Sequence, residues 1–129
     1  MELLQEMCRA FAYRGPDDEG YHVATPVGLG HRRLSIIDLG GGHQPMSNED
    51  DSLWIIFNGC IYNYQDLQRT LRHPGHRFNT GTDTEVILHA YEQWGEDCVS
   101  QFNGMWAFAI YETRAKTRFC SRDRLGVKP

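Results

Sequence analysis

The stretch Trp54-Ile-Ile-Phe-Asn-Gly-Cys-Ile-Tyr-Asn-Tyr64 decides the fold prediction. It begins with an unbroken apolar run, which is typical of a strand buried on both faces. Asn58-Gly59 interrupts this run with a pair that takes positive φ at little cost, so a tight turn is predicted there. Asn63 is predicted to cap a helix, because Leu67 and Leu71 follow on one helical face.

A strand, a tight turn and a helix in succession hold backbone N–H groups rigidly at the strand end. Such groups can stabilise a negative charge that develops on an oxygen atom. The same residues also fit a plain connection between a strand and a helix that binds no ligand. The stretch by itself leaves both interpretations open.

Length and composition indicate a single globular domain. The chain has 129 residues, of which 40% are hydrophobic and 23% are charged. The net charge is −4 and the basic residues are scattered, so no nucleic-acid partner is predicted. No apolar run approaches the roughly 18 residues of a membrane span, so we expect no membrane partner and a cytoplasmic location.

The cysteines and histidines predict neither disulfides nor a metal site. Cys8, Cys60, Cys98 and Cys120 are far apart and form no C-x-x-C pair, which favours reduced thiols in a cytosolic protein. His73-Pro-Gly-His76 lies in a predicted turn and has no third or fourth ligand nearby in sequence.

Helical and strand-like patterns alternate along the chain and predict an α+β fold. The predicted elements are a helix at 2–11, a hairpin of strands 21–24 and 27–31, an apolar strand that follows Arg32-Arg33, the strand that starts at Trp54, helices at 63–72 and from Thr82 to Trp94, a short strand at 77–79, a short helix at 98–102, and a hairpin of strands 105–111 and 117–122. The glycine-rich loop 40–46 lacks the Lys-Ser/Thr pair of a phosphate-binding loop.

Two kinds of charged residue are candidates for a binding site. Arg32 and Arg33 should point to opposite faces of a strand, so that one faces solvent and the other a pocket. Solvation of both is the alternative. Thr82 or Asp83 is predicted to cap the start of a helix, and a carboxylate at this helix start is favoured by the helix dipole even without a ligand.

Seven motifs occur in one order: Arg14-Gly-Pro-Asp-Asp-Glu-Gly20, His31-Arg-Arg-Leu-Ser-Ile-Ile-Asp38, Gly42-His-Gln-Pro-Met46, Phe57-Asn-Gly-Cys-Ile-Tyr-Asn63, Thr82-Asp-Thr-Glu-Val-Ile87, Phe102-Asn-Gly-Met-Trp-Ala-Phe-Ala109 and Arg122-Asp-Arg-Leu-Gly-Val-Lys-Pro129. Together they closely resemble the glutaminase domain of glutamine-hydrolysing asparagine synthetases, a class II glutamine amidotransferase. The resemblance extends from Met1 to Pro129.

The resemblance implies an N-terminal-nucleophile hydrolase fold, an αββα sandwich of antiparallel sheets. It implies hydrolysis of glutamine to glutamate, with ammonia passed to a separate synthetase domain. ATP and Mg²⁺ are expected only in that synthetase domain, so no cofactor is expected here. The nucleophile of the family is an N-terminal cysteine whose own α-amine acts as base, a group that titrates near ~7.7–8.0.

The resemblance also implies roles for individual residues. Arg33 matches the arginine that binds the α-carboxylate of the substrate, in a substrate-binding segment that continues through Leu34, Ser35, Ile36 and Ile37. Asn58 and Gly59 match the oxyanion donors. Asp83 matches the carboxylate that binds the α-ammonium. Cys60 occupies a substrate-binding position at which the family pattern has glutamate.

Compared with the family pattern, residues 1–129 are expected to be a partial glutamine amidotransferase type 2 domain. The first strand of the family, which carries the nucleophile, has no counterpart here, and the synthetase domain is absent. We therefore expect no glutaminase activity from this chain alone, and dimerisation or aggregation through exposed strand edges. The alternatives are a non-catalytic glutamine-binding or regulatory module, and Cys60 acting as a substitute nucleophile.

Overall fold

The computed structural model describes residues 1–34 and 41–129. Its elements are helix α1 (Glu2–Ala10), strands β1 (Asp18–Ala24), β2 (Val27–Arg33), β3 (Met46–Ser47) and β4 (Leu53–Ile61), helices α2 (Tyr64–Arg72) and α3 (Asp83–Trp94), a 3₁₀ helix (Gly95–Gln101), and strands β5 (Gly104–Glu112) and β6 (Thr117–Arg122). β1 and β2 form one antiparallel sheet, and β3-β4-β5-β6 form a second in that order.

The elements form four layers. Helix α1 packs on β2, β2 contacts β4, and α3 packs on the other side of β4 with α2 beside it. The glycines of β2 allow the first contact, because a Cβ at Gly30 would collide with the side chains of Cys8 and Leu4. This layering confirms the predicted α+β sandwich of antiparallel sheets. No helix in the described ranges is both long enough and apolar enough to cross a bilayer.

The main core lies between the four-stranded sheet and helices α2 and α3. Alternate residues of β4 are buried on this side, and Ile55 and Phe57 are at most 5% exposed. The prediction that this apolar run is buried on both faces is wrong. Trp54 and Ile56 are only half-buried, because the layer of β1 and β2 covers the opposite face incompletely, with Trp54 stacked on His22 at 3.7 Å.

The tight turn predicted at Asn58-Gly59 is also wrong, because β4 continues through both residues to Ile61. Asn58 pairs with Ala107 and Gly59 with Trp106 of β5. Gly59 has φ of 150° within this ladder, and a Cβ there would collide with the carbonyl oxygen of Met105. Glycine is therefore required for close approach of two strands and not for a reversal of the chain.

Asn63 stands before α2 but makes no capping hydrogen bond. Its side chain accepts from Asn103 N (2.9 Å) and donates to Gln101 O (2.9 Å), so it ties the start of α2 to the segment before β5. The short strand predicted at 77–79 does not form. Instead, Asn79 N donates to the Glu85 carboxylate (2.8 Å).

The remaining predicted elements agree with the structure within a few residues at their ends. The exception is the apolar strand expected after Arg33. Arg32 and Arg33 are themselves the last residues of β2, and residues 35–40 lie outside the described part of the chain.

Of the two predicted N-cap positions, Thr82 and Asp83, the structure has Thr82 as the N-cap of α3, and its hydroxyl accepts from Glu85 N (3.3 Å). We expect Thr82→Ala to lower the free energy of unfolding by about 1 kcal/mol, because one amide of the first helical turn loses its partner. Urea unfolding measures this difference. Thr82→Ser keeps the hydroxyl and is the matched control, and equal losses for the two variants would contradict the capping role.

Candidate functional site

A cavity of about 510 Å³ opens between the two sheets, next to the N-terminus of α3. It brings together the described residues that sequence analysis assigned to the site: Arg33, Leu34, Asn58, Gly59, Cys60 and Asp83. Ser35, Ile36 and Ile37, assigned to the same site, lie outside the described residues. Basic, acidic and amide groups from β2, β4 and α3 therefore border one space.

Asp83 supplies a buried carboxylate at the first turn of α3 and is 5% exposed. Its Oδ2 accepts from Ile61 N at 3.0 Å, which ties the helix start to the end of β4. Burial raises the pKa of Asp83, although backbone N–H donors and the charge of Arg33 oppose the shift. A cationic ligand group in the cavity would favour the charged carboxylate.

Arg33 ends β2, and its guanidinium lies against Gly42, where any side chain would collide with it. Arg32, next in the strand, takes a different direction. Its Nε donates to Gly15 O (3.0 Å), and its Nη1 pairs with Glu19. The expectation that one arginine faces solvent is wrong, since the Arg32 side chain is only 17% exposed and borders the same cavity.

Cys60 faces the cavity from β4 and is half-buried. Burial raises the pKa of its thiol, and the negative charge of Asp83 raises it further, whereas Lys128 lowers it. Because the thiolate is the reactive form, these shifts leave Cys60 a poor nucleophile near neutral pH. They count against Cys60 as a substitute nucleophile.

Gln44 was not among the predicted site residues, but it is 5% exposed and borders the cavity. Its Oε1 accepts from Phe57 N (2.6 Å) and its Nε2 donates to Thr84 Oγ1 (3.4 Å). β3 pairs only with Trp54 and Ile55 of β4 among the described strands, and the side-chain amide of Gln44 provides the next hydrogen bond along the same edge of β4. The same amide links this edge to Thr84 of α3. A signal was present, because Gln44 lies within the Gly-His-Gln-Pro-Met motif.

His31 was also not assigned. Its ring Nε2–H donates to Phe57 O (3.0 Å), and burial lowers the pKa of the ring, so the imidazole is kept neutral beside Arg33. Gln44 and His31 hold the N–H and the C=O of the same residue of β4. The two side chains together determine the position of the strand that precedes Asn58.

The same layering occurs in a solved structure, glutamine phosphoribosylpyrophosphate amidotransferase from Bacillus subtilis complexed with ADP and GMP. The TM-score is 0.64 at 26% identity, and the match covers 79% of this chain and 24% of that one. The fold is that of the N-terminal-nucleophile hydrolases.

Residues 1–129 match the sequence profile of the glutamine amidotransferase domain, and the chain belongs to this family. It is 46% identical over 128 residues to asparagine synthetase (glutamine-hydrolyzing) 1 of Bacillus subtilis, which covers 99% of this chain and 20% of the relative. A putative asparagine synthetase (glutamine-hydrolyzing) 2 of Methanocaldococcus jannaschii is 46% identical over 151 residues, or 28% of its length. The chain thus spans 20% to 28% of the length of these relatives.

Proposed function

We propose that the cavity binds L-glutamine and that the domain serves, within a longer asparagine synthetase-like protein, to hydrolyse glutamine and supply ammonia for amide synthesis. One observation carries the proposal. Arg33, Asp83 and the Asn58-Gly59 segment border one cavity, although they come from three separate elements.

The charges of the cavity match the two ends of an amino acid. Arg33 would bind the α-carboxylate, a task suited to the two parallel N–H donors of a guanidinium. Asp83 would accept from the α-ammonium. These two contacts direct the side-chain amide towards Asn58 and Gly59, whose amide groups would stabilise the negative oxygen formed when the amide carbon is attacked.

Cys60 adds little charge to this arrangement, because its thiol is kept protonated. We infer that Asp83 is the principal counter-charge for the α-ammonium among the described residues that border the cavity. A glutamate at position 60, as in the family pattern, would add a second carboxylate. Cys60→Glu is therefore expected to tighten binding of glutamine.

Titration calorimetry with L-glutamine on the chain tests the proposal. Arg33→Ala and Asp83→Asn are each expected to weaken binding by about 10- to 100-fold, since a hydrogen bond to a charged group contributes about 1.5–3 kcal/mol. Arg69→Ala is the control, because Arg69 lies exposed on α2, where it pairs with Asp66, and is not among the described residues that border the cavity. No glutamine binding by the unmodified chain, or equal binding by Arg33→Ala, would overturn the proposal.

A second ligand tests which residue binds the α-carboxylate and which binds the α-ammonium. Glutaramic acid keeps the amide and the carboxylate of glutamine but has no α-ammonium. Asp83→Asn should leave its affinity unchanged, whereas Arg33→Ala should weaken it. Thermal unfolding of each variant shows whether the fold is retained.

The proposal extends to the surroundings of the domain. A synthetase domain elsewhere in the full protein would take ATP and Mg²⁺ and receive the ammonia, and the location would be cytoplasmic, where the four free thiols stay reduced. Nothing in the described residues favours the non-catalytic alternative. A homodimer is also proposed, because Leu3 and Met7 of α1, with Phe11 directly after the helix, form an exposed apolar stripe. Sedimentation of the chain measures its mass.

A further inference from the structure

A second group of polar side chains lies away from the cavity, between α3 and the turn after α2. His76 Nδ1 and His89 Nδ1 lie 3.2 and 3.1 Å from the same oxygen, Oε2 of Glu92. The three ligand atoms lie within 4.8 Å of one another. Four ligands held tetrahedrally around Zn²⁺ at about 2.0–2.1 Å are about 3.3 Å apart, so small rotations of these side chains would enclose an ion.

The atoms of this group that face away from its centre already have partners. His89 Nε2 lies 3.5 Å from Glu85 Oε1, and His76 Nε2 lies 3.0 Å from Gln93 Oε1. Asn48 Nδ2 donates to the other oxygen of Glu92 at 2.7 Å. A histidine that binds a metal through one nitrogen commonly donates from the other nitrogen to a carboxylate or carbonyl oxygen, which is the arrangement of both rings here.

The burial of the group is graded. The side chain of His89 is 2% exposed, whereas those of His76 and Glu92 are 16% and 21% exposed. Phe78 stands edge-on to the ring of His89 at 4.7 Å and shields it. An ion would therefore be held on a fixed inner ligand and closed off by two ligands that solvent can reach.

We propose that His76, His89 and Glu92 form a binding site for a divalent zinc-like cation, with water as the fourth ligand. Imidazole and carboxylate ligands suit Zn²⁺ and its first-row neighbours. A bound cation would hold the turn at 73–76 against α3, because His76 lies in the turn while His89 and Glu92 lie on the helix. We therefore expect it to stabilise the folded domain and to leave the proposed glutamine chemistry unaffected.

A proton competes with the metal. Burial would lower the pKa of His89, but its hydrogen bonds to Glu85 and Glu92, together with the charges of Glu92 and Glu49, raise it to about 9. Nε2–H is directed at Glu85, which leaves Nδ1 to bind the cation. A histidine binds a metal only through a nitrogen that carries no proton, so zinc binding is expected to strengthen as pH rises.

Calorimetry with Zn²⁺ and the visible spectrum with Co²⁺ on the metal-free chain test this site. The expected results are saturable binding at one site, a rise in Tm with Zn²⁺, and cobalt bands of nitrogen and oxygen coordination without thiolate charge transfer. His76→Ala and Glu92→Gln should each weaken zinc binding by at least about 10-fold. Loss of a residue that only hydrogen-bonds to a metal ligand typically weakens binding by about 10- to 100-fold, and loss of a ligand itself should cost no less. His89 is too buried for a clean test.

His73→Ala is the matched control, because His73 is exposed in the same turn and is not one of the three proposed ligands. It should bind zinc as the unmodified chain does. Absence of zinc binding, thiolate bands in the cobalt spectrum, or unchanged affinity in His76→Ala would each overturn the proposal. Since these variants leave the cavity of Arg33 and Asp83 untouched, the outcome is independent of glutamine binding.

Discussion

Gly59→Ala is expected to lower the free energy of unfolding by at least about 3 kcal/mol, a large part of the roughly 5–15 kcal/mol that keeps an ordinary domain folded. Two costs add. An alanine at φ of 150° adopts a conformation that residues with a side chain rarely take, and its methyl group meets the carbonyl oxygen of Met105 on the paired strand. That oxygen is backbone in the middle of the sheet, so it cannot move aside without breaking the ladder.

Gly75→Ala separates the two costs. Gly75 also has positive φ, 102°, but a Cβ there would have no neighbour within 4 Å. It should therefore cost only the conformational part, about 1–2 kcal/mol. Urea unfolding followed by tryptophan fluorescence compares the variants, and equal losses at the two positions would show that the approach of β4 and β5 is not what requires glycine.

The second large effect is a loss of stability in alkaline solution, expected to reach up to about 3 kcal/mol as the pH rises from 6.5 to beyond 9. The pKa of His89 is raised above its unfolded value of 6.5 to about 9, although burial alone would lower it. A raised pKa means that the folded state holds the proton more tightly. The stabilisation is therefore complete below pH 6.5 and disappears as the pH passes through about 9.

Titratable groups from several elements face His89, and Glu85, Glu92 and Glu49 are the ones that raise its pKa. Glu85 and Glu92 lie on α3, Glu49 lies before β4 and His76 lies in the turn after α2. The pKa values of Glu85 and Glu92 are lowered despite burial, because His89 and nearby hydrogen-bond donors favour their charged forms. They contribute stability above an unfolded pKa of 4.5 that is lost in acid, so stability should be greatest between the two ranges.

The measurement is urea unfolding across this pH range in the presence of a chelator, which keeps the histidine titration free of metal. Glu92→Gln keeps the shape of the side chain and removes one carboxylate, so the alkaline loss should become smaller. His73→Ala, in the exposed part of the turn, should leave it unchanged. A pH-independent free energy of unfolding between 6.5 and 9 would be incompatible with a charged His89.

Much of the fold could be predicted because its signals are local. The helical face of Leu67 and Leu71, the N-cap at Thr82 and the apolar runs of β4 and β5 each follow from residues a few positions apart. The residues at which strands and helices end were less predictable. Asn58-Gly59 has the composition of a turn, but pairing with β5, more than forty residues later in the chain, extends the strand through it.

The site shows the same division. The sequence by itself determined the family, the candidate site residues Arg33, Asp83 and Asn58-Gly59, and the difference from the family pattern at Cys60. Residue types and their order along the chain are enough for these conclusions. Only the tertiary structure decided that these residues border one cavity, that Gln44 and His31 hold β4 beside it, and that His76 meets His89 and Glu92. The physical reason is that such contacts join residues distant in sequence, and packing of the sheets and helices sets their distances.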